Sequence, residues 1–252
     1  MTDLRDDLDH PVRLDGPPSR VVSLVPSITE SLAATVPHRL VGATDWCTHP
    51  ADLDVTRVRG TKNPDLAAIA ALEPDLVVAN QEENRELDVR RLRERGTQVW
   101  VTVTETVEQA LGSLDRLFTE AFALRPDWLA AARAEWSEPA GGRGSAAVAI
   151  WRDPWMVVGR DTFTGDLLRL LGLDNVFADD DDRYPHTTPA AIEGRQPDVV
   201  LLPDEPYVFT ADDGPEAFTV PTALVSGRLL TWYGPSLVGA RSALLRQIGV
   251  GP

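Results

Sequence analysis

Cys47 and His49 carry side chains that bind soft or borderline metal ions. At i and i+2 on an extended segment they point the same way. A thiolate and an imidazole there can ligate a metal, or His49 can ligate the metal of a bound macrocycle. A buried cysteine and a histidine bonded to the backbone fit the same two residues. Lys62 and Asn63 precede a helix start, where free backbone N–H groups favour anions. With Arg152 they can hold carboxylate or phosphate groups; alternatively Lys62 pairs with Glu82 or Glu83. Glu82, Glu83 and Glu205 can bind amides, hold a cation or act as general acids and bases, or be solvated loop acids. Trp46, Trp151, Trp155, Tyr184, Tyr207, Phe209, Trp232 and Tyr233 fall at predicted strand ends or loops. They offer stacking surface to a large flat ligand such as a corrin or porphyrin, though each can equally plug the core beneath a loop. Ser27 completes the candidate ligand-binding set. His10, His38 and His186 are unclustered, and Asp179 to Asp182 read as a solvated loop.

The elements that must position these residues alternate between strand and helix. Residues 20–25, 40–44, 75–79 and 97–102 read as strands. Ser27 with Glu30 has the form of a capping box, so a helix starts there. Helices follow over 64–72 and 83–95. This pattern means an α/β fold with a largely parallel sheet. Residues 107–136 are strongly helical, interrupted by Pro126. The Gly-rich break at 139–145 is the best boundary. A second series follows, with strands at 146–151, 155–158, 198–202 and 221–225. Its helices lie at 163–171, 189–194 and 235–248. The domains are therefore a partly ordered arm (1–19), an N-terminal α/β lobe (20–105), a bridging helical segment (106–138) and a C-terminal α/β lobe (139–252).

Composition narrows the function. The chain has 252 residues, 43% hydrophobic and 25% charged, with a formal charge of −15. That is an ordinary globular composition, and its acidity argues against nucleic acid and anionic membrane surfaces. Lys62 is the only lysine and Cys47 the only cysteine, which excludes an internal disulfide and a cysteine-only zinc site. The charged first residues contain no apolar signal core and no run is long enough to span a membrane, so a cytoplasmic location is expected. No G-x-S-x-G, H-E-x-x-H, P-loop or G-x-G-x-x-G motif occurs.

The chain also echoes itself. Residues 67–78, AAIAALEPDLVV, and 190–201, AAIEGRQPDVVL, share six of twelve residues at an offset of 123. Each copy reads as a short helix, a Pro-Asp turn and a buried strand, which suggests two related lobes. The same offset pairs Glu82 with Glu205. Ligands sit beyond the carboxyl ends of parallel strands, so both lobes present an acid at the edge where ligands bind.

Val21-Val22-Ser23-Leu24-Val25-Pro26-Ser27-Ile28-Thr29-Glu30, Val41-Gly42-Ala43-Thr44-Asp45 and Pro74-Asp75-Leu76-Val77-Val78 resemble the helical-backbone metal receptor family. So do Thr162-Phe163, Leu171-Gly172-Leu173-Asp174-Asn175-Val176 and Gln196-Pro197-Asp198-Val199-Val200. These are substrate-binding proteins for cobalamin and iron–siderophore uptake. Cys47-Thr48-His49-Pro50, Gly60-Thr61-Lys62-Asn63-Pro64, Glu82-Glu83-Asn84 and Trp232-Tyr233-Gly234 resemble a signal-less subset of the cobalamin branch. The resemblance spans residues 20–249 and implies two Rossmann-like α/β lobes bridged by a helix, the class III substrate-binding-protein fold. It implies a ligand cleft between the lobes. Secreted members carry on each lobe a glutamate that docks onto permease arginines; the matching positions are Ala67 and Ala190. Asp65 or Glu193 are the nearest substitutes.

Together these features predict a cytoplasmic binding protein for cobalamin, haem, a siderophore-like or another metal chelate, with no obligatory cofactor and no permease docking. A cytosolic enzyme reusing the fold, with Cys47, His49 and the three glutamates as its candidates, is the alternative. An ABC-transporter binding component is the third.

Overall fold

The N-terminal segment expected as a partly ordered arm is a hairpin. The computed structural model describes residues 2–249. In it β1 (Thr2–Arg5) pairs antiparallel with β2 (Pro11–Leu14). Asp6, buried, explains the order. One of its carboxylate oxygens accepts from the amides of Leu8 and His10 at 3.0 and 2.8 Å; the other accepts from the Arg93 guanidinium at 2.6 Å and the Val101 amide at 3.2 Å. Asp7 adds bonds from Arg116 at 2.7 Å, the Val103 amide at 3.0 Å and the Ser113 hydroxyl. The arm is fully built into the fold because these acids face inward onto specific donors.

The chain divides into two units, each described by itself. The first comprises Met1–Thr104, Glu108–Ala130 and Tyr233–Pro235; the second comprises Glu105–Val107, Ala131–Trp232 and Ser236–Pro252. The helical segment 106–138 is therefore shared between them rather than standing apart. In the first unit the apolar runs make β3 (Val21–Ser23) and β4 (Leu40–Ala43); the exposed β5 (Thr56–Arg57) adds an edge strand, followed by the small hairpin β6 (Arg59–Gly60) and β7 (Asn63–Pro64). Then come β8 (Leu76–Asn80) and β9 (Val99–Thr102). The sheet order is β5-β4-β3-β8-β9, all parallel. Helices α1 (Pro26–Thr35), α2 (Leu66–Ala71), α3 (Glu86–Glu94) and α4 (Val107–Arg116) accompany it, and α5 (Asp127–Glu135) is divided between the two units. Val22, Leu24, Ile69, Val77, Val89, Leu92 and Val99 form one buried cluster of this unit.

Two local expectations change. The capping box does not form: Pro26 takes the first helical position, Val25 is the N-cap, and Ser27 lies inside α1. Between α4 and α5 the helix passes into a π-helical turn at Leu117–Ala121, and the chain leaves it before Pro126.

The second unit contains β10 (Gly144–Trp151), β11 (Trp155–Val157), β12 (Leu173–Asn175), β13 (His186–Thr187), β14 (Val199–Pro203) and β15 (Thr222–Val225). The order is β13-β11-β10-β14-β15, with β12 also on β10. β11 is antiparallel to both its neighbours; the other pairs are parallel. Its helices are α6 (Phe163–Leu171), α7 (Pro189–Gly194), α8 (Gly227–Thr231) and α9 (Ala240–Ile248). Thr162 caps α6 through the Gly165 amide at 3.1 Å, and Gly172, at φ 82°, ends it. The closing helix expected over 235–248 is a short 3₁₀ turn at Pro235–Leu237 followed by α9. Among the described residues no helix is long and apolar enough to cross a membrane.

The internal echo is structural. At the offset of 123, α2 maps onto α7, β8 onto β14 and β9 onto β15, end to end. The register repeats too: Val77 faces Val99 as Val200 faces Thr222. In each turn the residue before the Pro-Asp pair, Glu73 or Gln196, has positive φ. In each, the aspartate holds a serine at or just before the start of the neighbouring strand. Asp75 accepts from the Ser19 amide and hydroxyl, both 2.8 Å, and the Arg20 amide at 2.9 Å. Asp198 accepts from the Ser145 amide and hydroxyl at 2.7 and 2.9 Å. Burial pushes the Asp75 carboxyl up, but these bonds outweigh it and hold the group below the usual range. The Ser145 amide and hydroxyl do the same for Asp198.

A carboxyl lowered on folding stabilises the fold above its unfolded value, about 3.9, and loses that contribution as pH falls through the lower folded value. The Asp75→Asn/Asp198→Asn variant should therefore show a shallower loss of stability below about pH 4 than the wild type, measured by urea unfolding across pH. Separately, Asp6→Ala leaves Arg93 without its buried partner and should cost about 3 kcal/mol, measured by urea unfolding at neutral pH.

Candidate functional site

Each unit gathers predicted site residues at the carboxyl ends of its strands. In the first unit β8 ends at Asn80, which is buried. Its side-chain oxygen accepts from the amides of Glu82 and Glu83 at 2.8 and 3.2 Å, and its side-chain amide donates to Thr102 and Thr104. Asn84, also buried, accepts from the Asn80 amide at 2.8 Å and donates to the carbonyls of Leu24 and Thr61. These asparagines fix the turn carrying Glu82 and Glu83, and this is why α3 begins at Glu86 and not at Glu83. Neither was among the expected site residues; the available signal was a polar residue closing an otherwise apolar strand.

Lys62 donates to the main-chain carbonyl of Glu82, not to either carboxylate. Glu82 is exposed, while Glu83 is half-buried and accepts from the Tyr233 hydroxyl at 3.2 Å. Burial, then the charge of Glu83, push the Tyr233 phenol well above its ordinary value. Next to Tyr233, Gly234 lies against α1: a Cβ there would sit 3.2 Å from the Ser27 carbonyl and 2.5 Å from the Ser31 hydroxyl. Trp46 is 65% exposed, and its indole N lies 3.4 Å from where a Cβ on Gly60 would be. Asn63 crowds the same point. The bare glycine thus brings Trp46 and Asn63 together.

A turn leads into Cys47, whose amide bonds to the Thr44 carbonyl at 3.1 Å. The thiol is buried between the hydroxyls of Thr29 at 2.9 Å and Thr44 at 3.1 Å. Burial raises its pKa despite those bonds, the opposite of what a nucleophile or metal ligand needs. His49 is half-buried with Nδ1 3.1 Å from the Thr48 hydroxyl. Among the described residues no group of three His, Cys, Asp or Glu side chains is placed to hold a metal ion.

In the second unit β10 ends at Trp151 and β14 runs into the loop bearing Tyr207. Trp151 is 43% exposed and stands edge-on to Tyr207, with ring centroids 5.7 Å apart. Below them Trp155 is buried, stacked on Phe209 at 5.7 Å and edge-on to Phe218 at 5.2 Å. Arg152 lies over Trp155 and bonds to Asp213 and to Glu216, the latter at 2.5 Å. The bond to Glu216 leads the effects that raise its pKa. Tyr207 donates to Asp213 at 2.6 Å, which raises the phenol's pKa. Arg152 and Lys62 are thus both engaged by their own units. Glu205 is half-buried, its backbone 2.7–2.9 Å from where a Cβ on Gly227 would be. Tyr184 is half-buried just before β13. Trp232 is buried, with the Arg228 guanidinium 5.9 Å from its ring centre. Trp155, Trp232 and Tyr233 therefore fill the interior, and the exposed aromatic surface among these residues belongs to Trp46 and Trp151, with half-buried Tyr184 and Tyr207.

Two α/β units with these topologies define a class III substrate-binding-protein fold, and the resemblance to the helical-backbone metal receptor family holds in sequence and in structure. The chain is 23% identical over 247 residues to the vitamin B12-binding protein of Pectobacterium carotovorum subsp. carotovorum, covering 92% of this chain and 88% of that one. The periplasmic vitamin B12 binding protein BtuF of Vibrio cholerae superposes with a TM-score of 0.75 at 19% identity, covering 92% and 97% of the two chains. The heme binding protein HmuT superposes with a TM-score of 0.77 at 18% identity, covering 96% and 89%. No protein-family model matches the chain.

The folded protein should resist Ellman's reagent, with Cys47 reacting only as fast as the first unit opens, and should release one equivalent in denaturant. Immediate stoichiometric labelling of the folded chain would contradict the burial of the thiol.

Proposed function

We propose that this protein binds a tetrapyrrole or related metal chelate, such as cobalamin, haem or a siderophore-like complex. The observation that carries this is the partly exposed Trp151 braced edge-on by Tyr207 at the carboxyl ends of β10 and β14. A flat macrocycle is held by such a surface with few polar contacts. The exposed Trp46 supplies a like surface on the first unit. Vitamin B12- and heme-binding proteins of the same fold support the ligand class.

The proposal further places the protein in the cytoplasm, in storage, sensing or hand-over rather than delivery to a permease. Ala67 and Ala190 are exposed, at equivalent points of α2 and α7, and carry no charge. The nearest acids are committed elsewhere. Asp65 caps α2 through the amides of Ala67 and Ala68, and Glu193 accepts from the amide and hydroxyl of Thr219. Cell fractionation with an antibody tests the location.

Titration with cyanocobalamin, hemin and a ferric hydroxamate siderophore should quench tryptophan fluorescence and shift a visible band for at least one of them. Trp151→Ala should weaken that binding about tenfold. No response to any chelate would overturn the proposal.

A further inference from the structure

The aromatic surface on the second unit is framed by charge of one sign. Arg152 is the only base in residues 151–155 and 203–218, against Asp153, Asp204, Glu205, Asp212, Asp213 and Glu216. Three of these acids lie on Arg152 itself: Asp213, Glu216 at 2.5 Å and Asp153 at 3.8 Å. The guanidinium faces inward, over Trp155, at 24% side-chain exposure. Its partners are more open, at 40% for Asp213, 49% for Glu216 and 88% for Asp153. A ligand approaching Trp151 therefore meets carboxylates before it meets the cation. Tyr207 adds no donor, because its hydroxyl proton is directed at Asp213.

From this we infer that Asp213 and Glu216 are specificity-determining residues: by occupying Arg152 they set the site for a chelate with an uncharged or cationic periphery, such as carboxamides, hydroxamates or ammonium groups, and against one bearing carboxylates. The inference rests on Trp151 and Tyr207 being ligand surface. A ligand carboxylate set beside the acidic surplus of this loop cluster meets like-charge repulsion, because Arg152 is already taken up by Asp213 and Glu216. An uncharged amide escapes that repulsion, and a cation is attracted.

Two matched pairs of probes test it. One is cyanocobalamin and the tricarboxylate made by hydrolysing three of its side-chain amides. The other is the iron porphyrin with four N-methylpyridinium groups and its counterpart with four sulfonatophenyl groups. In each pair the anionic member should bind about tenfold more weakly or worse, and rising salt should narrow the gap. Asp213→Asn/Glu216→Gln, which leaves Arg152 only the open Asp153 at 3.8 Å, should close the gap or reverse it. Glu73→Gln/Glu94→Gln removes the same charge near the amino ends of the first unit's strands and should leave the gap in place. Equal binding of both members of a pair to the wild type overturns the inference and leaves the chelate-binding proposal standing. A gap closed equally by both double variants also overturns it, by assigning the effect to net charge. Failure of all four probes to bind overturns the inference, and failure of hemin and the ferric siderophore as well overturns the chelate-binding proposal. The wild-type comparison decides the matter even if the loop variant does not fold.

Discussion

A carboxylate used twice sets where each sheet begins. Asp75 and Asp198 each follow a proline, end a turn with one residue at positive φ, and receive the amide and hydroxyl of a serine at or just before the start of the neighbouring strand. That clasp lies one residue ahead of the first ladder pair, Val21 with Leu76 and Ala146 with Val199. A slip of one residue would turn every side chain of a strand to the opposite face. With the start pinned, the buried valines and leucines of β8 and β14 fall on the correct side. The strands then run out at fixed points, Asn80 and Pro203, from which the site loops depart.

What departs differs between the units. After β8 two asparagines, buried and fully engaged, hold a short turn in place. After β14 the chain instead makes a longer loop whose order comes from stacked aromatics and from Arg152 bridging its acids. The first solution is a neutral hydrogen-bond network; the second is an ion cluster over an aromatic floor. Sequence equivalence of Glu82 and Glu205 therefore does not carry equivalence of environment. One is an exposed side chain whose carbonyl accepts from Lys62, and the other is half-buried against the start of α8.

Much of the fold was legible because it rests on local signals. α6 and α7 are found at their predicted ends, since a threonine cap and a glycine in the left-handed region leave one place for α6 to start and stop. The 123-residue echo was equally plain, and its register was implicit in it. The N-terminal hairpin was not, because its order comes from Arg93, Val101 and Arg116, remote in sequence. The helix at 26 was anticipated for a different cap, as Pro26 fills the position that the box requires to be open. For the site, residue type marked Trp46, Trp151 and Tyr207 usefully. For Cys47 it left a ligand and a buried thiol as alternatives, and the thiol is buried between two threonine hydroxyls. It did not reveal that Arg152 is already spoken for, since Asp213 and Glu216 lie some sixty residues away along the chain.

The solitary lysine has a practical side. Lys62 is exposed and its amine reaches the turn at Glu82. All other basic side chains are arginine or histidine, which ordinary acylating reagents pass over. Among side chains, a fluorophore, biotin or cross-linker aimed at amines thus finds one address, on the loop edge of the first unit near Trp46 and Asn63, so with the α-amino group blocked a reporter can be installed there without engineering the chain.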